Sequence, residues 1–166
     1  MIQQETPEKN ILRKHTGAAL LNVRPEDVIA VAEAIAERYQ VRHKRVPKSG
    51  LGMMRFRESV MAQAFNLGEV PMSSAHIELV DASGQVHEGG SVILRDHEAL
   101  AIAIAVCDAV LAGGLDEDGA VQQLVDEGLK VTSEDAKLRR AMLERSRVSF
   151  ALMNQDDPEG LDQDHD

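Results

Sequence analysis

Three groups of side chains in this sequence are of types that could do chemistry. His76, His87 and His97 fall close together, with Glu78 and Glu88 beside them. A zinc ion needs several such ligands converging at about 2 Å. The competing expectation is a solvent-facing Glu78–His87 pair across two strands, which contributes little. Asp96-His97-Glu98 stands where a helix should begin. Free N–H groups and a positive dipole end can hold an anion there, but Asp96 is expected to occupy those amides itself as a cap. The third group is the basic run RHKRVPK, residues 42–48, with Arg55 and Arg57 further on. Arg42, Lys44, Arg45, Arg55 and Arg57 on two adjacent strands could contact a triphosphate or an acidic partner. They could equally be the charges that keep an edge strand soluble. Cys107, the single cysteine, sits inside AIAIAVCDAVLAG and reads as an inert core thiol. The sequence has no Walker-type loop, no nucleotide-binding glycine fingerprint, no paired-cysteine spacing and no HExxH.

Positioning such residues requires a folded core, and the composition permits one. Of 166 residues, 43% are hydrophobic, but only 2% are aromatic and none is Trp, so the core must be Ala, Val, Leu, Ile and Met. So few aromatic faces argue against a base-stacking or carbohydrate platform. The formal net charge is −10. Six of the 28 acids (Asp156, Asp157, Glu159, Asp162, Asp164, Asp166) lie in the last thirteen residues, leaving 22 acids against 18 bases. Without a basic field there is no counterion release to drive binding to nucleic acid. The polar start MIQQETPEKN lacks an apolar signal core, and no apolar run approaches the ~20 residues of a membrane span. A cytoplasmic protein is expected.

The hydrophobic periodicity gives the elements. Thr6-Pro7-Glu8 opens a helix to about Leu21, and Pro25-Glu26-Asp27 opens a second to about Tyr39. Residues 41–47 and 51–59 alternate as two strands around a Lys48-Ser49-Gly50 turn. FNLGE, residues 65–69, leads into the strand VPMSSAHIELV. After the turn Asp81–Gly84 the chain pairs back, with Leu79 opposite Val86, Ala75 opposite Gly90, Ser73 opposite Val92 inside, and Glu78 opposite His87 outside. Gly89-Gly90 suggests a bulge or a close backbone approach. Residues 97–112 are apolar all round, the mark of a central helix. A short helix opens at Asp116–Asp118, with Val121, Leu124 and Val125 inward. A last one opens at Thr132 and runs to about Met153, partly burying Leu138, Met142, Leu143, Val148 and Leu152. The expected fold is α+β: a mostly antiparallel sheet of about four strands, two N-terminal helices and about three C-terminal ones. Residues 1–153 form one domain, and 154–166 an acidic disordered tail.

FNLGEVPMSSAHIEL, followed by GGSVILRDHEALAIAIAVCDAVL, resembles the G-subunit family of the bacterial carbon–phosphorus lyase core complex. MMRFRES and SRVSFALM, residues 146–153, are similar to further segments of that family, and the resemblance spans roughly residues 10–154. Two details depart from it. Leu94-Arg95-Asp96 stands where the family often has Gly-Arg-Asp, and Asn154-Gln155-Asp156 where it often has an aromatic and a basic end.

The resemblance implies a subunit acting with H, I and J partners. In that complex a phosphonate such as methylphosphonate displaces adenine from ATP, giving a ribose 1-phosphonate 5-triphosphate. The chemistry is attributed to the I subunit and the later C–P cleavage to the J subunit. This chain would then be a non-catalytic subunit that binds no cofactor or metal of its own, ATP being the substrate of the complex. Phe65, Asn66, Leu67, Gly68 and Glu69 would form a turn docking on a partner, unless Phe65 belongs to this chain's own core. Met53, Met61 and Met72 are candidates for apolar surface left uncovered. The alternative is a stand-alone small-ligand or metal-binding domain built on His76, His87 and the basic strand.

Overall fold

A computed structural model describes residues 7–145, and their side chains from Lys14 onward. The elements in chain order are α1 (Pro7–Leu20), α2 (Pro25–Arg38), β1 (Gln40–Arg57), β2 (Ala64–Val80), β3 (Val86–Ile93), α3 (Glu98–Gly113) and α4 (Ala120–Arg145). The three strands form one antiparallel sheet in the order β1-β2-β3. The chain divides at Thr132 into two compact units, Met1–Thr132 and Ser133–Asp166.

The first unit is α+β, as the periodicity implies. α3 is its centre: Leu100, Ala101, Ala103, Ile104, Ala105, Val106, Cys107, Ala109 and Val110 are all buried. Small residues let it lie close to the sheet. A Cβ placed on Gly89 of β3 would stand 2.1 Å from the carbonyl oxygen of Ala105, so the glycine pair marks a close approach and no bulge. The inner face of β2 alternates Ser73, Ala75, Ile77 and Leu79, all buried, as a half-covered strand must. Val28, Ala32 and Ile35 of α2 close the core, with Ala19 and Leu20 of α1 and Val121, Leu124 and Val125 of α4. Gly114, left-handed at φ 67°, ends α3.

Four expectations are corrected. Among the described residues the sheet has three strands, because the two strands expected at 41–47 and 51–59 are one, Gln40–Arg57. Lys48-Ser49-Gly50 does not turn; the chain stays extended, with bulges between His43 and Arg45 and between Arg45 and Lys48. The β2–β3 register is shifted by one residue, pairing Val80 with Val86 and Leu79 with His87. Asp81 is the cause. Its carboxylate accepts hydrogen bonds from Ser83 N (2.8 Å) and Gln85 N (2.9 Å), which lengthens the loop by one residue. A one-residue slip turns every side chain of β3 over: His87 faces inward, and Val86, Glu88, Gly90 and Val92 face out. Third, α3 is capped by His97, whose Nδ1 accepts from Leu100 N at 3.2 Å, and not by Asp96. Fourth, the last two expected helices are one. Thr132 starts nothing; its hydroxyl donates to the carbonyl of Gly128 inside α4 (2.8 Å). Leu138, Met142 and Leu143 are exposed rather than partly buried. Val148, Leu152, the expected helix end at Met153 and the acidic tail 154–166 lie outside the described residues, as does SRVSFALM.

Candidate functional site

β3 spans only half of β2. Its last pair is Ser73 with Ile93, while β2 runs on to Ala64 against β1. Beyond the Ser49–Ser73 pair, β1 and β2 therefore project as a two-stranded arm, residues 50–57 against 64–72. Its root is tied to the core. Ser73, 1% exposed, donates its hydroxyl to the carbonyl of Arg95 (2.8 Å) and accepts from His97 N (2.9 Å). Ser49 Oγ lies 2.7 Å from Ser73 Oγ and donates to the Asp96 carboxylate.

FNLGE is the second strand of this arm and not a turn. Phe65 pairs with Phe56, Asn66 with Arg55, Gly68 with Met54 and Glu69 with Met53. Leu67 has no opposite residue, so it is the bulge, and Gly68 beside it takes φ 151°, which a residue with a Cβ rarely adopts. The arm turns at residues 58–63, closed by Glu58 N donating to the carbonyl of Gln63 (2.9 Å).

The arm carries apolar side chains that nothing in the first unit covers. Leu51, Met53, Val60, Met61, Phe65 and Leu67 are exposed. Met53 and Met61 are thus uncovered as expected, while Met72 is half-buried over Gly52. Leu51 and Met53 alternate on one face. Phe56 and Phe65 stack across the strands with ring centroids 6.3 Å apart, and at 49% exposure Phe65 is not a core residue.

The basic residues are not one cluster. Arg55 and Arg57 ride on the arm, ten or more positions along β1 from Arg45, on the order of 30 Å at strand spacing. Lys44 is paired, to Glu88 and at 3.7 Å to Glu78. Lys44 in turn draws the Glu88 carboxyl below the usual range. Arg42 donates to Gln40 (2.7 Å). Arg45 has no ion partner among the described residues, and neither does Lys48, the last cation of the same basic run.

The histidines do not converge. His76 is on the open face, its Nε2 3.3 Å from Glu88. His87 is on the covered face, its Nε2 3.3 Å from Asp81, and His97 caps α3. The sheet itself separates His76 from His87, and no group of metal-ligating side chains occurs among the described residues. Cys107 is buried, and burial pushes its thiol up to about 12, so it is no nucleophile. Among the described residues no helix is long and apolar enough to cross a membrane.

The family model described as phosphonate metabolism protein PhnG matches residues 12–155. No curated protein matches the chain. With nearly its whole length covered, the chain belongs to the PhnG family, that of the carbon–phosphorus lyase G subunit, and is a phosphonate metabolism protein.

Proposed function

We propose that this PhnG-family chain is a non-catalytic subunit of the carbon–phosphorus lyase complex, working in the cytoplasm with the H, I and J subunits. The reaction it serves is displacement of adenine from ATP by a phosphonate such as methylphosphonate, giving ribose 1-phosphonate 5-triphosphate. A glycosidic C–N bond is exchanged for a C–O bond to the phosphonate, and the 5-triphosphate is kept.

The observation that carries the reading is the arm. A two-stranded ribbon is marginal alone, and this one exposes Leu51, Met53, Phe56, Phe65 and Leu67 to water. Aromatic and Met side chains are enriched in interface cores. The arm supplies both an apolar surface and two open strand edges, and both suit another subunit of the same complex. Phe65, the bulged Leu67 and Gly68 beside it would be the contact, with Asn66 and Glu69 at its polar rim. Arg55 and Arg57, on the face opposite the stacked Phe56 and Phe65, add positive charge to the arm, suited to acidic side chains of that partner.

The test is growth. With the gene deleted and methylphosphonate as sole phosphorus source, growth is expected to stop and to return with the wild-type gene. A gene carrying Phe56→Ser and Phe65→Ser is expected not to restore it, and its product not to co-purify with the other subunits. Unimpaired growth of the deletion strain, with no second copy present, rejects the pathway assignment. Full rescue by the double variant rejects the arm as the contact.

A further inference from the structure

The open face of the sheet holds a hollow of about 470 Å³, lined by Arg45, Val46, Lys48, Ser74, His76 and Gly90 among others. That volume is in the usual range of small-ligand sites, about 300–1,000 Å³. Its origin is local. Between Arg45 and Lys48 two residues of β1, Val46 and Pro47, stand against the single residue Ala75 of β2. The strand bows there, and Pro47 offers no N–H to the ladder, a tolerable loss on an edge strand. Opposite, Gly90 pairs with His76 and has no side chain to fill the space.

We propose that this hollow binds the phosphoryl or phosphonyl oxyanion of a small molecule. Arg45 supplies a planar fork that matches two oxygens of such a group, Lys48 a compact second charge, and Ser74 a hydroxyl. Glu88, beside His76 at the hollow, does not compete for them: it is held by Lys44 and by His76. Lys44, one of the sequence candidates, thus serves by occupying Glu88, while Arg45 and Lys48 keep their charges for a ligand. The choice of a phosphorus oxyanion over a carboxylate rests on the proposed function; the pair of cations around a glycine-floored hollow does not.

Gly90 makes the proposal testable without removing charge. A Cβ there would meet nothing nearer than the Ala75 carbonyl oxygen at 3.8 Å. Gly90→Val should fill the hollow and leave the strand intact, since β-branched residues suit strands. The full chain is titrated calorimetrically with tripolyphosphate, ATP and methylphosphonate, and with sulfate and citrate as controls. Tripolyphosphate or methylphosphonate is expected to bind. Arg45→Gln with Lys48→Gln should weaken that binding about tenfold or more, and Gly90→Val should weaken it as much with unfolding unchanged. Lys130→Gln, an exposed lysine of α4, should do nothing. Absence of binding, equal loss with Lys130→Gln, or retention in both hollow variants overturns the site. Equal affinity for citrate overturns the phosphorus preference. Growth on methylphosphonate is scored separately, so a hollow that binds in a chain dispensable for growth sinks the proposed function and spares the site.

Discussion

Phe56 and Phe65 face each other across the arm, rings stacked at 6.3 Å between centroids and 27° between planes, each about half exposed at 47% and 49%. Such a pair contributes about 0.5–1.5 kcal/mol to its own strands. A Phe in a core would cost about 3–5 kcal/mol on truncation. Phe65→Ala in the isolated chain is therefore expected to cost no more than about 1.5 kcal/mol by urea unfolding. Capture of the partner subunits should fall far more steeply. A cost above about 3 kcal/mol would place Phe65 in this chain's own core.

Gly89 and Gly90 are neighbours with opposite demands. A Cβ on Gly89 collides with the Ala105 carbonyl at 2.1 Å and Ala109 N at 2.6 Å, both backbone, which cannot swing aside. On Gly90 the nearest atom is at ordinary contact distance. Gly89→Ala should destabilise by about 1–3 kcal/mol or more through overpacking of α3 on the sheet. Gly90→Ala should be neutral or slightly stabilising. Equal denaturation midpoints for the two variants would contradict the packing of α3.

Ser73 is the knot between arm and core. Ser73→Ala leaves the Arg95 carbonyl and the His97 N–H without the hydroxyl that serves both. Unpaired buried groups cost about 1–3 kcal/mol each. Thermal unfolding should show a loss in that range, and Ser49→Ala, at an exposed position, a smaller one. A neutral Ser73→Ala would mean that the arm is not anchored there.

How far the fold can be read from sequence depends on whether side chains or backbone decide. Pro7, Pro25, Gly113 and the all-apolar run of α3 act locally, and those helices lie where the pattern puts them. Three features escaped because a side chain overrides the local signal. Lys48-Ser49-Gly50 has turn residues, yet Ser49 is held to Ser73 and Asp96 and the strand continues. Thr132-Ser133 resembles a cap, yet Thr132 bonds back into α4. The Asp81 carboxylate grips its loop and moves β3 by one residue, which reverses the faces of His87 and Glu88. At the candidate site, Arg45 was legible as a cation. So was Lys48, in the same basic run, and His76 was grouped with that strand in the small-ligand alternative; that they line one hollow without His87 was not legible, because it depends on a bulge and a register that no short window contains. The apolar residues of FNLGE were legible as either a docking surface or an entry to the core; their place on an arm depends on β3 being shorter than β2.

Cys107 offers a check on the core. It is buried on α3, and burial, with Asp116 adding to it, holds the thiol up to about 12. Only thiolate attacks a disulfide reagent. The native full chain should react with such a reagent orders of magnitude more slowly than the chain in urea, across pH 7–9. Rapid reaction in the native state would mean that α3 opens readily or is not central.

Asp81 and His87 give the fold an acid-sensitive corner. The Asp81 carboxylate accepts from Ser83 Oγ (2.6 Å), from the amides of Ser83 and Gln85, and faces His87 Nε2. The Ser83 hydroxyl, followed by His87 and the two amides, lowers its pKa to about 2, against roughly 3.9 in an unfolded chain. A carboxyl depressed in the folded state binds fewer protons there than in the unfolded one, so its stabilisation is present above about pH 4 and is lost as pH falls toward 2. Asp81→Asn keeps an oxygen to accept from the loop amides but cannot titrate. The melting temperature of the wild-type chain should therefore fall more steeply than that of Asp81→Asn between about pH 4 and pH 2, with the two curves parallel above about pH 5. Parallel curves throughout would show that the carboxylate is not held by its loop, and with it would go the reason β3 is shifted against β2.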